Sequence, residues 1–228
     1  ERVPVSNLRS FCRKYYQPDN AMMIVAGQFD PRQALAAIEK TFGKIPRPRR
    51  KLAATYTEEP AQDGERIVTL RRVGKVAVVG ALYHIPAGPH PDFVPLNVLT
   101  DILTSSPTGR LYKSLVQTKR AASLQGDAYA FHDPGVIELM AEVTPGNDPR
   151  DVLNALTDTI DLVVSKGATD EEVKRSQARF LRQREQAANN TARLAIQLSE
   201  WAAQGDWRMY FIARDRLEKV TTADIKRV

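Results

Sequence analysis

The chain has 228 residues, with 33 Lys and Arg against 27 Asp and Glu for a net charge of +6; 43% of residues are hydrophobic and 26% charged. That balance excludes a disordered or fibrous chain, and the length suffices for a full core without metal or disulfide staples. The single cysteine, Cys12, excludes an internal disulfide framework and a Cys-rich zinc module, and no run approaches the roughly 18 apolar residues of a membrane span.

Ser6 to Tyr16 reads as a short helix with Leu8, Phe11, Cys12 and Tyr15 on one face, and Cys12 there is expected to be a buried structural thiol. After a turn at Pro18 to Asn20, the apolar run from Ala21 to Gly27 predicts a strand buried on both faces. Asp30 and Pro31 are N-cap and first residue of a helix that reaches Phe42 and stops at Gly43. Lys44 to Gly64 is an extended connection, basic from Arg47 to Lys51 and acidic around Glu58, Glu59 and Pro60.

Two strands are predicted next, over Arg66 to Val73 and Lys75 to Ile85. A helix opens at Pro91 and Asp92, and a shorter one begins at Gly109 and ends near Thr118. Ala121 to Phe131 and Val136 to Val143 form antiparallel strands joined at Asp133, Pro134 and Gly135. The remainder is helical: Pro149 to Lys166 before Gly167, a helix capped by Thr169 and Glu172 and running to about Ala188, Asn189 to Gln204, Asp206 to Val220, and a last one capped at Thr221 and Asp224. Strands in antiparallel pairs with helices in blocks imply an α+β fold, its antiparallel-rich sheet covered by helices on one face. The chain opens without Met at Glu1 and stops within a helical pattern at Val228, as a single domain cut at both ends from a longer protein would.

No self-contained catalytic constellation is present. His84, His90 and His132 lie at a strand end and in turns; loop histidines are the simpler reading, and a metal site of His84, His90 and Asp92 the sharper one. There is no Gly-x-Ser-x-Gly elbow and no phosphate-binding glycine loop opening a helix. Arg175, Arg179 and Arg182 share a face of the long helix, read as solvated, with only Phe180 as an aromatic companion. Salt-dependent nucleic-acid binding is the test of that basic charge, and no nucleic-acid partner is expected. Trp201, Trp207, Tyr210 and Phe211 read as core anchors.

The stretch FCRKYYQPDNAMMIVAGQFD from Phe11 to Asp30 resembles a hallmark of the pitrilysin/insulinase (inverzincin) zinc metallopeptidases, which include the mitochondrial processing peptidase. The matching positions there are Tyr16, Pro18, Asn20 and Gly27. FGKIP from Phe42, Asp92 after His90 and Pro91, then Gly109, Arg110, Leu111 and Tyr112, and Gly135 after Asp133 and Pro134 follow in the family's order, as does TDEEV from Thr169. LSEWAAQGDWR from Leu198 is similar to the large bacterial members. The resemblance implies the LuxS/processing-peptidase-like fold and, within it, the second, non-catalytic domain of a half-enzyme.

The family's inverted zinc motif, His-x-x-Glu-His, occurs nowhere in the chain. The resemblance therefore implies no cofactor in this piece, zinc in an absent upstream domain, and no cleavage by the piece alone. Where the family's non-catalytic half carries an Arg and a Tyr, this chain has Val116 and Ser123, which implies a catalytic half. The implied partners are the upstream zinc-binding domain, a second half-enzyme, and a peptide or unfolded protein enclosed between the halves. A basic chamber wall favouring acidic peptides and a periplasmic or otherwise extracytoplasmic location are further expectations. The rival reading is a non-proteolytic interaction subunit with the same fold.

Overall fold

A computed structural model describes residues 3–49, 51–52 and 62–228. The expected acidic stretch around Glu58, Glu59 and Pro60 lies outside the described residues. The chain divides into two compact units, 1–72 and 73–228.

In the first unit, α1 (Val5–Tyr15) leads to a 3-10 turn at Pro18–Asn20 and then to α2 (Pro31–Phe42). Asp30 caps α2 as its sequence implies, accepting from the backbone N–H of Arg32 at 2.8 Å and of Gln33 at 3.3 Å. Neither helix has a buried residue, and Cys12 is exposed rather than buried. The expected strand from Ala21 to Gly27 forms no ladder, and Met22, Met23 and Val25 are exposed. The expected strand from Arg66 to Val73 likewise forms none, with Ile67, Val68 and Leu70 exposed. Apolar patterning marks a segment able to become a strand. A strand also needs a neighbouring backbone to satisfy its N–H and C=O groups, which apolar patterning within one run does not supply.

The second unit is built on a three-stranded antiparallel sheet. β1 (Val78–Ile85), β2 (Ala121–Tyr129) and β3 (Gly135–Val143) lie in the order β1-β3-β2. β2 and β3 are the expected pair, with a bulge between Ala121 and Ser123. One face is covered. Ile137, Leu139, Ala141 and Val143 of β3 pack with Val79 and Ile85 of β1 and with Val152, Leu156 and Val163 of α4 (Pro149–Lys166). Leu111 and Leu115, before and within a π-helical turn at Tyr112–Val116, join this core fully buried. Each such leucine contributes about 2–3 kcal/mol of burial.

A second core stands on the same helical side. α3 (Phe93–Thr104) is buried on nearly every side because it serves both cores, with Phe93, Leu96 and Leu103 in the core under the sheet and Val94, Val98 and Ile102 in the second. The outer layer is α5 (Asp170–Ala188), α6 (Thr191–Ala203), α7 (Met209–Leu217) and α8 (Thr222–Arg227). Thr169 with Glu172, and Thr221 with Asp224, make the two expected capping boxes. Tyr210 is buried as expected and Trp201 packs on the second core, but Trp207 and Phe211 are about half exposed. Trp207 lies before α7, and on that nine-residue helix Met209, Tyr210, Ala213 and Leu217 take the inward positions, leaving Phe211 outside.

Candidate functional site

Within residues 73–228 the helices cover one face of the sheet and leave the other open. The period of two puts Val78, Gly80, Leu82 and His84 of β1 on that face, opposite Glu142, Met140, Glu138 and Val136 of β3. From β2 come Ser123, Gln125, Asp127 and Tyr129, opposite the same four. Leu82 is 67% exposed, and Val78, Met140 and Tyr129 are exposed with it. Asp127 stands directly across from Glu138, two like charges side by side on a protein of net charge +6. The Tyr129 phenol is raised from its usual value, first by the charge of Glu138 and further by that of Asp127. This face is therefore apolar and acidic, and the expectation of a basic wall does not describe it.

Behind the sheet, the loop between α3 and β2 is clasped to the α4–α5 junction by Arg110. Its Nε donates to Glu172 Oε1 at 2.8 Å and its Nη2 to Glu172 Oε2 at 2.7 Å, a bidentate pair. Nη2 also donates to the carbonyl of Gly167 at 2.9 Å. Gly167 has φ +74°, a conformation that ends α4 and suits a residue without Cβ. Glu172 at the same time accepts from Thr169 N at 2.8 Å and Thr169 Oγ1 at 3.0 Å. Its carboxyl is held down from 4.5 to about 2, first by Arg110, against burial and with help from Thr169. Gly109 lets the chain turn into this clasp: a Cβ there would meet Leu103 and Ser105 backbone atoms at 2.7 Å.

The remaining sequence-marked positions are distributed. Tyr16, Pro18, Asn20 and Gly27 are in the first unit, where Asn20 Nδ2 donates to the Tyr15 carbonyl at 3.0 Å and Gly27 has φ +148°. Gly109, Arg110, Leu111 and Tyr112 stay together by chain continuity. Asp92 precedes α3 and pairs with Arg227 of α8 at 2.7 Å, which lowers its carboxyl. Gly135 starts β3 where a Cβ would run into the Tyr129 carbonyl. Val116 ends the π-helical turn, and Ser123 lies on the open face across from Glu142.

His90 Nδ1 accepts from the Asp92 backbone N–H at 3.1 Å, and His132 lies 3.2 Å from Asp133. Among the described residues no group of three or more His, Cys, Asp or Glu side chains is placed to hold a metal ion, so His84, His90 and Asp92 do not form such a group.

Of Arg175, Arg179 and Arg182, Arg179 is not simply solvated, and Arg184 of the same helix also reaches inward. Arg179 pairs with Asp101 of α3, a carboxylate only 6% exposed. Arg184 donates to the Tyr210 carbonyl and lies over its ring, 3.9 Å from the centroid. Long aliphatic stems let an arginine on a polar face reach inward. Spacing within one helix carries no sign of a carboxylate or a carbonyl waiting on another, so these ties were not legible in the sequence.

The fold is that of an α+β domain with a one-sided helical cover, and the comparisons with known proteins assign its family. The family model "Peptidase M16 inactive domain" matches residues 2–180, and the chain belongs to that family. It is 36% identical to the inactive peptidase domain from Bordetella parapertussis in a solved structure, with TM-score 0.62 over 70% of this chain and 87% of that one. A Helicobacter pylori protease of known structure shares the fold over 99% of this chain and 55% of its own, with TM-score 0.93 at 20% identity. The zinc protease PqqE of Helicobacter pylori is 31% identical over 121 residues, 52% of this chain and 27% of its own length. The chain spans 27% to 40% of the length of the curated relatives it matches, all of them zinc proteases by name. No helix among the described residues is long and apolar enough to cross a membrane.

Proposed function

We propose that residues 1–228 form the second, non-catalytic domain of one half of a zinc metalloendopeptidase. The observation that carries this reading is the match of an inactive peptidase domain to residues 2–180. In this reading the domain packs on an upstream zinc-binding domain of the same polypeptide, and a second half-enzyme completes an enclosure for a peptide or unfolded protein. The one-sided cover of the sheet supports a wall role, since it leaves Val78, Leu82, Met140 and Tyr129 facing outward at a spacing suited to an extended chain. Val116 and Ser123, in place of an Arg and a Tyr, support assignment to the catalytic half. The metal and the water it activates belong to the upstream domain; the residues here pack, enclose and hold shape. An extracytoplasmic location follows from the resemblance to exported bacterial members.

The test compares this chain alone, the upstream polypeptide of its gene alone, and the two together, on a quenched-fluorescent peptide with zinc supplied. Zinc-dependent cleavage by the pair and none by this chain is the expected result. Cleavage by this chain alone overturns the reading. An upstream region without His-x-x-Glu-His, and a pair without activity, assigns the chain instead to a non-proteolytic interaction subunit.

A further inference from the structure

The first unit exposes its apolar side chains in the order of a core layer. On α1, Val5, Leu8 and Phe11 recur at helical spacing and are each more than half exposed. On α2, Leu35 and Phe42 are exposed on the face that also holds Ile38. Neither helix buries a residue. Between them the chain enters the run from Ala21 to Gly27 already extended, with Ala21 at φ −134° and ψ 138°. The period of two then puts Met22, Ile24 and Ala26 on one side and Met23 and Val25 on the other. A run apolar on both sides is the pattern of a strand inside a sheet, covered above and below. Here it forms no ladder, and Met22, Met23 and Val25 are exposed. Two amphipathic helices around a doubly apolar run are one strand of a layered domain and its cover.

Residues 73–228, about two thirds of the chain, hold a sheet and two cores of their own. The Bordetella parapertussis inactive peptidase domain corresponds to a body of that size, 70% of this chain. The Helicobacter pylori protease that shares the fold over 99% of this chain does so over only 55% of its own. In that protein a further stretch almost as long accompanies the matched part, enough for a second layered domain.

We infer that residues 1–72 are the joint between two domains of one polypeptide: Ala21 to Gly27 adds as a strand to the sheet of the upstream domain, and α1 and α2 lay Leu8, Phe11, Leu35 and Phe42 over that sheet. The inference rests on the proposed upstream zinc-binding domain and names the surface that meets it. Backbone hydrogen bonds along the run supply the attachment, and the apolar faces of the two helices supply the burial. A free apolar strand is an aggregation hazard. A partner on the same polypeptide is present at high effective concentration, so the strand is occupied once both parts fold. The upstream domain then depends on a strand from this chain, whereas residues 73–228 do not.

Hydrogen exchange is followed for the 228-residue chain and for the full-length product of its gene. Amides of Ala21 to Gly27 are expected to exchange rapidly in the chain and at least about 100-fold more slowly in the full-length protein, as in a paired strand, with α1 and α2 protected in step. Rapid exchange in both proteins overturns the inference. So does slow exchange in the 228-residue chain, which assigns the run to a partner within that chain or, where protection grows with concentration, to a second copy. Val25→Pro removes a ladder donor; it is expected to abolish the protection in the full-length protein and to leave the urea midpoint of the 228-residue chain, read by tryptophan fluorescence, unchanged. The wild-type comparison carries the test even where the full-length variant fails to fold. Zinc-dependent peptide cleavage is measured on the same full-length sample. Cleavage with Ala21 to Gly27 unprotected overturns this inference and leaves the proposed function standing. Protection without zinc or cleavage supports strand addition and overturns the proposed function.

Discussion

Exchanging Glu172 for Gln keeps the shape of the side chain at the Arg110 clasp and removes its charge. In the native chain the carboxyl falls from 4.5 to about 2. At about 1.4 kcal/mol for each tenfold change in acidity, that corresponds to about 3 kcal/mol favouring the folded state. Side-chain exposures of 22% for Arg110 and 16% for Glu172 leave some solvent screening, which brings the expected contribution to about 2 kcal/mol. A depressed carboxyl stabilises above its unfolded value, and the contribution is lost as pH falls through the folded one. The native clasp is therefore complete at pH 7, and weakens between about pH 5 and pH 2. Both tryptophans lie in residues 73–228, so urea melts followed by tryptophan fluorescence report on the unit that holds the clasp. Glu172→Gln is expected to lose about 2 kcal/mol at pH 7, or about 4–8 °C in Tm, and to flatten the stability profile between pH 5 and 3. A loss under about 0.5 kcal/mol, the scale of a solvated surface pair, together with an unchanged pH profile, would refute the clasp as a stabilising element.

The Arg179–Asp101 pair joins α5 to α3 with its carboxylate buried. Arg179→Leu alone is expected to cost about 3 kcal/mol by stranding that charge, while Arg179→Leu with Asp101→Leu recovers most of it, as measured by a double-mutant cycle in urea. Gly109→Ala forces a Cβ against backbone at 2.7 Å and is expected to lower stability by about 2 kcal/mol or more, with Gly146→Ala, which meets no neighbour but has φ +97°, as the control for backbone strain alone. Leu111→Ala, at a fully buried position, is expected to cost about 2–5 kcal/mol by chemical melt. Incubation of the chain with zinc, followed by gel filtration and metal analysis, is expected to recover no stoichiometric zinc at pH 7; retention of one ion per chain would refute the site description.

What depends on neighbours along the chain is legible in the amino-acid order alone. Asp30, Thr169 and Thr221 cap the helices their spacing marks, and Gly167 stops α4. The β2–β3 hairpin follows from alternation around Asp133 to Gly135. These outcomes rest on hydrogen bonds and side-chain periods spanning a few residues, which a linear pattern encodes directly. The family motif around Gly109 to Tyr112 was equally legible, although the role of Arg110 in it was not. Which apolar runs became strands was settled by packing: Val78 to Ile85 pairs with β3, whereas Ala21 to Gly27 and Arg66 to Val73 form no ladder. It also turned Arg179 and Arg184 inward and paired Arg110 with a glutamate 62 residues away. Such contacts depend on where separate elements come to lie, and a pattern read along one element holds no information about the group that meets it from another.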